Sequence, residues 1–244
     1  VHVDYGHRAA GDAEIYFIAN QSPETIDFNG IFRVSGLTPE FWNAADGSVR
    51  TLPQYSTDGT NTTVPLVLEP YESAFVVFGK NAPVASQKAN FPAPENTVAL
   101  DGTWQLSFQE GSRGPAKPVK VKEIKDLSKW DDDNVRHFSG TVDYETTFKL
   151  KNLKEGEHIY LNTGEVGVMA KVYINGHYAG GVWTAPYRVD ITDFVKKGKN
   201  DLRIEVVNTW VNRLIGDSRL PEAERPTWTF NNPWRPDSQL QASG

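Results

Sequence analysis

A β-hairpin signal in the second half of the chain constrains the fold more than any other feature. Apolar and polar residues alternate over residues 169–174, as expected for a strand with one buried face. Asn175 and Gly176 follow, and both tolerate the positive φ that a two-residue type I′ turn requires. His177 begins the predicted return strand, in which Gly180-Gly181 permits a β-bulge or a close backbone approach. The segment is therefore predicted to be antiparallel β structure.

Strand and turn patterns of the same kind recur along the whole chain. Short runs rich in β-branched and aromatic residues alternate with turn signals such as Asp46-Gly47. Periodicity disappears over the proline-containing residues 83–96. The predicted fold class is all-β, with a small antiparallel β-sandwich at 1–82, a linker at 83–96 and a jelly-roll β-sandwich at 97–244 that ends in a long Trp/Pro-rich segment. The predicted strands cover residues 14–20, 25–37, 49–52, 62–68, 74–78, 102–108, 119–124, 140–150, 158–163, 169–174, 187–189 and 201–207, with one helical turn at 190–195.

Composition excludes several classes of function. The chain has 244 residues and a formal net charge of −6, and it contains no basic cluster able to neutralise a row of phosphates. Nucleic acid is therefore not an expected partner. No apolar run approaches the roughly 18 residues of a membrane span. The absence of cysteine rules out disulfides and thiolate metal sites.

The sequence at both ends of the chain indicates that this is a piece of a longer protein. Val1 is preceded by neither an initiator methionine nor a leader segment, and Gly244 follows no obvious closing element. We expect a C-terminal truncation. We also expect a periplasmic or secreted location.

Trp183 and Tyr187 are the first candidate binding residues. They flank a proline-containing loop, and an aromatic ring there offers a flat surface for the C–H face of a pyranose. Alternatively, both rings close the end of a sandwich.

A second candidate group follows the last strong strand pattern. Asn208, Trp210, Asn212, Arg213 and Asp217 combine an aromatic ring with donors and acceptors suited to sugar hydroxyl groups. The arginine and aspartate could equally form a structural pair that supports a loop or a domain interface.

The segment after residue 218 is a long loop rich in tryptophan and proline. Trp228, Phe230 and Trp234 lie in it, and its prolines prevent regular structure. A long loop of this composition usually packs against a partner, which could be another domain.

A series of short motifs resembles a known family. The motifs are FSGTVDYETTF at 138–148, Asn175-Gly176, WTAP at 183–186, DIT at 190–192, GKNDL at 198–202 and VNTWVNRLIGD at 207–217. Together they look like the sugar-binding jelly roll of family 2 glycoside hydrolases, which has the galactose-binding-like fold. The stretch at 207–217 more narrowly resembles part of the family 106 glycoside hydrolases, the α-L-rhamnosidase-like enzymes. Residues 6–20 are similar to the segment that follows the catalytic barrel in those enzymes.

The resemblance implies a noncatalytic, C-terminal, carbohydrate-associated part of a hydrolase that acts on plant-type polysaccharides. The catalytic barrel would lie upstream of Val1, so the expected partners are a carbohydrate and the missing catalytic domain of the same polypeptide. Two alternatives stay open. The chain could be a free-standing carbohydrate-binding module, or its domains could only brace the barrel.

No catalytic residue is assigned to the chain itself. Glycoside hydrolysis usually needs two carboxyl groups roughly 5 to 10 Å apart. Glu145 and Glu165 are available, but nothing in the sequence pairs them. His7 and Arg8 precede the first predicted strand, where they could point toward an active site built by another domain or simply lie on the surface.

An acidic run offers a candidate site for structural calcium, which galactose-binding-like sandwiches often hold. Asp131, Asp132, Asp133 and Asn134 carry hard oxygen ligands. Consecutive acids cannot all turn inward, so a solvated loop is the favoured interpretation. Asp101 is a comparable calcium candidate.

Overall fold

The computed structural model of the protein describes residues 2–81, 85–154 and 156–244. The chain divides into two compact units, Val1–Val98 and Ala99–Gly244, each with its own hydrophobic core. Strands dominate both units, which confirms the all-β fold class. Of the predicted linker, residues 83 and 84 lie outside the described residues, while Asn90 and Phe91 pack on the first unit.

The first unit is an antiparallel β-sandwich of two sheets. Its strands are β1 (Asp4–Ala10), β2 (Ala13–Ala19), β3 (Ile26–Phe32), β4 (Leu37–Trp42), β5 (Val49–Thr51), β6 (Ser56–Thr57), β7 (Thr62–Leu68) and β8 (Ser73–Asn81). One sheet has the order β1-β2-β8-β4-β5 and the other has the order β3-β7-β6. The sequence patterns do not predict β1, the two-residue strand β6 or, apart from Leu37, the strand β4.

Alternation along β7 explains why these strands form a sandwich. Thr62, Val64, Leu66 and Leu68 are buried, and the residues between them are only half-buried. The buried aliphatic side chains share one core with residues of the opposite sheet. Each of them stabilises the fold by about 1.5–3 kcal/mol relative to an exposed position.

The second unit is a larger antiparallel β-sandwich. Its strands are β9 (Trp104–Phe108), β10 (Val119–Val121), β11 (Thr141–Leu150), β12 (Tyr160–Asn162), β13 (Met169–Ile174), β14 (His177–Val182), β15 (Arg188–Asp190) and β16 (Gly198–Val207). Six strands form a sheet in the order β10-β9-β11-β16-β13-β14, and β12 pairs with β15. Leu161 and Val189 of the small sheet join the same core as the inner residues of the large sheet.

The predicted hairpin is confirmed. Asn175 and Gly176 connect β13 to β14 with φ angles of 52° and 84°. The Asn175 amide also donates to the Phe194 carbonyl and to Asn200 Oδ1, both at 2.9 Å. Asn175 therefore makes the turn and also ties it to the start of β16.

A β-bulge interrupts the pairing of β13 with β14. Val172 pairs with Gly180, but Tyr173 pairs with Tyr178, so Ala179 is an extra residue in β14. Of the two alternatives that the glycine pair permits, the bulge is therefore present. It moves every side chain on the turn side of it to the other face of the sheet.

Helical structure is short. The α-helices are α1 (Asp133–Arg136) and α2 (Val211–Asp217), and 3₁₀ turns lie at Leu127–Lys129, Thr192–Phe194 and Glu222–Glu224. The turn at Thr192–Phe194 confirms the helical turn predicted at 190–195. Among the residues that the structure describes, no helix has the length and apolar character needed to cross a bilayer.

Candidate functional site

The two predicted binding groups leave the large sheet at the same end. Val207, the last residue of β16, pairs with Met169 at the start of β13, and Val182 at the end of β14 pairs with the residue after Met169. Trp183 therefore follows β14 where Asn208 follows β16, two strand spacings or roughly 10 Å away. We call this edge of the sheet, where these chain segments emerge, the loop end.

Trp183 and Tyr187 differ in exposure. Trp183 is 53% exposed, whereas Tyr187 is half-buried against the core. The Tyr187 carbonyl accepts hydrogen bonds from the Thr163 N–H at 2.9 Å and the Thr163 hydroxyl at 3.2 Å. Trp183 thus presents a ring to solvent, and Tyr187 anchors the loop that carries it.

Asn208 fixes the main chain at the loop end. Its Oδ1 accepts from the Gly140 N–H at 2.9 Å, and its Nδ2 donates to the Phe138 carbonyl at 3.0 Å and to Ser243 Oγ at 2.7 Å. The side-chain amide of Asn208 is thus bonded to two other chain segments, residues 138–140 and Ser243.

Asn212 holds the final residues of the chain in the same way. Its amide pairs with the main chain of Gln241 in both directions, each at 2.8 Å. Asn212 lies in α2 and is 3% exposed, whereas Trp210, at the start of that helix, is 60% exposed. Of this pair, only Trp210 is accessible.

Asp217 is the centre of a buried charge cluster. Arg113 donates to both of its oxygens at 3.1 and 2.9 Å, and Thr227 Oγ1 donates at 2.7 Å. Burial alone would raise the pKa of Asp217. The hydrogen bonds from Arg113 and Thr227, together with the guanidinium charges nearby, instead hold that pKa below its ordinary value.

Arg213 is less well compensated. It is 8% exposed, its Nη1 lies 3.6 Å from Asp217 Oδ1, and its Nη2 has no acceptor among the described residues. Burial, followed by the nearby positive charge of Arg113, lowers the pKa of Arg213. Arg213 and Asp217 thus form an ion pair, as in the alternative in which they support a loop rather than bind a sugar.

The loop end therefore combines committed polar groups with accessible apolar ones. Met169 and Val207 are paired and are 50% and 36% exposed, and Trp183 and Trp210 emerge beside them. Such a surface can contact the C–H face of a ring-shaped ligand. The side-chain hydrogen bonds of Asn208 and Asn212 at the loop end hold neighbouring chain segments in place.

His7 and Arg8 correct one prediction, because they lie within β1 rather than ahead of the first strand. The ring of His7 stacks on Tyr16 with 4.3 Å between centroids, and its Nε2 lies 2.5 Å from Glu14 Oε2. These contacts belong to the pairing of β1 with β2. The sequence missed β1 because its seven residues are all exposed and so lack the alternation of a half-buried strand.

The two candidate carboxylates lie in different elements. Glu145 is in β11 and accepts a 3.1 Å hydrogen bond from Gln105, whereas Glu165 lies in the loop between β12 and β13.

The acidic run also corrects a prediction, because part of it is helical. Asp132 caps α1 by accepting from the N–H groups of Asn134 and Val135, at 2.8 and 3.4 Å, and Asp133 pairs with Arg136 at 2.7 Å. The capping geometry turns the predicted loop into a helical start. In the described parts of the chain, no three His, Asp or Glu side chains are grouped to hold a metal. Asp132 and Asp133 are thus engaged in a helix cap and an ion pair.

Strand register brings together a row of five residues, of which the sequence indicates only Glu145 as a candidate. Gln105, Glu145, Arg203, Tyr173 and Tyr178 are successive partners across β9, β11, β16, β13 and β14, on the face of the sheet away from the core. We call this group the outer row. Alternation places several of these side chains outward, but only strand order and the bulge show that they are neighbours.

The fold class of the second unit agrees with a match to a known domain family. Residues 119–238 match the model of the glycosyl hydrolase 2 galactose-binding domain-like family. The predicted jelly roll is therefore a galactose-binding-like sandwich.

Two further matches cover part of the first unit and the whole chain. Residues 1–57 match the α-L-rhamnosidase family model, glycoside hydrolase family 106. A rhamnosidase structure from Novosphingobium sp. PP1Y superposes on 100% of this chain with a TM-score of 0.91 and 39% identity, and the chain covers 23% of it. The chain is a glycoside hydrolase-like segment with a galactose-binding-like domain, and the predicted resemblance to family 106 α-L-rhamnosidase-like enzymes is confirmed.

Two curated relatives are also similar. Both come from Formosa agariphila and are named "Putative beta-glucuronidase". One is 37% identical over 167 residues, 64% of this chain, and the other is 28% identical over 116 residues, 38% of this chain. The chain spans 14% of the length of each.

Proposed function

We propose that this chain is a noncatalytic, C-terminal, carbohydrate-associated part of a glycoside hydrolase that resembles α-L-rhamnosidases acting on plant-type polysaccharides. The observation that carries the proposal is that Trp183 and Trp210 are both exposed at the loop end of a galactose-binding-like sandwich. A sugar ring stacks on Trp183, and Trp210 borders it. Tyr187, Asn208, Asn212, Arg213 and Asp217 contribute by holding the surrounding loops in place.

We further propose that the catalytic carboxylates belong to another domain of the same polypeptide. The chain spans 23% of the similar rhamnosidase, which leaves ample length for such a domain. Within the chain, Glu145 is bonded to Gln105 in the middle of a sheet, whereas a catalytic pair must flank a scissile bond. Enzymes of this kind meet polysaccharides outside the cytoplasm, so a periplasmic or secreted location fits the proposal.

Titration of the chain with a rhamnose-containing pectic oligosaccharide tests the binding site. We expect saturable binding that weakens about tenfold in Trp183→Ala, because the ring loses its stacking surface. Trp228→Ala is the matched control, since Trp228 is 78% exposed in the C-terminal loop. Equal affinity of Trp183→Ala and the unmodified chain would remove Trp183 from the site.

A turnover assay tests the noncatalytic role. The chain alone is expected to release no product from an aryl α-L-rhamnoside. Turnover that disappears in Glu145→Gln or in Glu165→Gln would place catalysis within the chain and would refute this part of the proposal.

A second candidate function, bracing of the catalytic domain, is favoured by a feature of the first unit. Gly6, Phe17, Phe75, Trp42 and Val49 are successive partners across its five-stranded sheet, on the face away from the core. Phe17, Trp42 and Val49 are 37%, 41% and 53% exposed. An exposed apolar row of this length is typical of an interaction surface.

The C-terminal loop offers a similar surface, because Trp228 and Phe230 are 78% and 95% exposed while Trp234 is half-buried.

Hydroxyl-radical footprinting of the chain and of a longer polypeptide that includes the upstream domain tests the bracing role. Trp42 and Trp228 should be protected only in the longer polypeptide. Equal labelling in both would argue against bracing. The sequence upstream of this chain distinguishes the carbohydrate-associated part of a hydrolase and the bracing role from a free-standing carbohydrate-binding module. A free-standing module needs no catalytic domain upstream.

A further inference from the structure

The two-residue turn at Asn175-Gly176 sets Tyr178 opposite Tyr173, and the β-bulge in β14 joins this pairing to that of Val172 with Gly180. If the register that pairs Val172 with Gly180 continued without a bulge, Tyr178 would pair with Ile174, whose side chain is fully buried in the core. With the bulge, Tyr178 pairs with Tyr173 on the outer face instead. Bulges commonly re-aim a side chain in this way near functional sites. Tyr178 is 55% exposed, so no core packing accounts for its position.

The re-aimed ring completes an aromatic pair. The rings of Tyr173 and Tyr178 meet edge to face with 5.6 Å between centroids. The Arg203 guanidinium lies over the Tyr173 ring, 3.9 Å from its centroid. Asp143 and Glu205 hold that guanidinium with contacts of 2.8 and 3.2 Å to Nη1. Arg203 is therefore fixed in position while its side chain is still about one-third exposed.

The remaining members of the outer row supply further hydrogen-bonding groups. Gln105 Nε2 donates to Glu145 Oε2 at 3.1 Å, which orients the carboxylate. Thr147 and Asp201, which are exposed, form the next pair on the same face, two residues closer to the hairpin turn. A cleft of about 420 Å³ covers this part of the face, lined by residues that include Glu145, Tyr173 and Arg203. Carboxylate, amide and guanidinium groups thus line the cleft together with Tyr173, and Tyr178 contacts the Tyr173 ring from the neighbouring strand.

We propose that the outer row is a second glycan-binding site, which binds an oligosaccharide laid across the strands. One pyranose stacks its C–H face on Tyr178, and the hydroxyl groups of the next residues bond to Arg203, Glu145 and Gln105. The row crosses four strand spacings, or roughly 19 Å, which is enough for about three sugar residues. This inference rests on the proposed carbohydrate-associated function, but it assigns binding to the sheet face rather than to the loop end.

The alternative is an ordinary solvated sheet face whose charges only pair with one another. Lys171 and Glu205, 3.2 Å apart, are such a pair beside the outer row. That alternative explains the ion pairs, because surface pairs are common and contribute little to stability. It assigns no role to the exposed Tyr178 ring, which lies beside Tyr173 and near Arg203.

Calorimetric titration with the same pectic oligosaccharide distinguishes these cases. We expect Tyr178→Ala to weaken binding about tenfold through loss of stacking, and Glu145→Gln to weaken it severalfold through loss of a charged acceptor. Tyr160→Ala is the matched control, because Tyr160 is 52% exposed on the small sheet of the same unit and should leave affinity unchanged. Circular dichroism confirms that each variant is folded. If Tyr178→Ala is misfolded, Glu145→Gln decides the question.

Each outcome has a defined meaning. Weakening by Tyr178→Ala and Glu145→Gln, beyond any effect of Tyr160→Ala, supports the site. Binding that responds only to Trp183→Ala overturns the outer-row site and leaves the proposed function intact. Absence of any binding by the unmodified chain contradicts the proposed carbohydrate association and this inference together.

Discussion

His137 lies under α2, with 3% of its surface exposed. A Cβ on Gly216 would come within 2.8 Å of its ring, so only glycine fits over it. Its Nδ1 lies 3.0 Å from the Asp133 carbonyl, and its Nε2 has no partner among the described residues. Burial, with smaller effects from the charges of Arg219 and Arg136, lowers the pKa of His137 below its ordinary value of 6.5.

This shift predicts a dependence of stability on pH. The unfolded chain takes up a proton near pH 6.5 while the folded chain still keeps His137 neutral, so the free energy of unfolding falls as the pH drops below about 6.5. Urea unfolding at pH 7.5 and pH 5.5 should show a larger loss for the unmodified chain than for His137→Gln. His2→Gln is the control, because the His2 side chain is 84% exposed. An equal loss in the unmodified chain and His137→Gln would contradict the assignment.

A second prediction for a single residue concerns Asp217. Asp217→Asn removes the negative charge that Arg113 and Arg213 share, and it should lower the free energy of unfolding by about 2–4 kcal/mol. Asp201→Asn makes the same change at a side chain that is 70% exposed, and it should cost less than about 1 kcal/mol. Thermal unfolding of both variants checks this. Similar costs in the two variants would mean that the buried cluster is not structural.

The β13–β14 hairpin shows what the sequence predicts at the scale of an element. Alternation and the Asn-Gly pair specify its strands and turn, because both signals are local. The same turn sets Tyr178 opposite Tyr173, but the position of the bulge is permitted by the two glycines without being specified. The strand order that sets Arg203, Glu145 and Gln105 beside this pair is not local, so the outer row needed the structure. Similarly, the residue types at 208–217 were recognised, but whether their polar atoms face a ligand or the main chain depends on contacts with residues as distant as Gln241.

Substitution at the turn tests the hairpin directly. Gly176→Ala places a Cβ in open space but forces alanine to adopt a φ of 84°, so we expect a loss of about 1 kcal/mol or more. Gly102→Ala is the matched control, because its Cβ would make only an ordinary 3.4 Å contact with Thr146 Oγ1 and needs no positive φ. Urea unfolding of both variants gives the comparison. Equal stability of Gly176→Ala and Gly102→Ala would contradict the turn conformation.

For the whole molecule, each unit has a core made from its own residues. The segment Ala99–Gly244 is therefore expected to fold alone and to keep the glycan affinity of the full chain, because the loop end and the outer row both lie within it. Dispersed amide resonances and an unchanged dissociation constant would support this. A segment that is folded but no longer binds would show that the first unit takes part in recognition.

We propose that this chain binds carbohydrate without cleaving it. The most direct measurement is calorimetric titration of the chain with a rhamnose-containing pectic oligosaccharide, followed by chromatography of the recovered sugar. The account predicts saturable binding at a 27.2 kDa protein and an oligosaccharide recovered intact. Release of free rhamnose by the chain, or the absence of any binding heat, would contradict it.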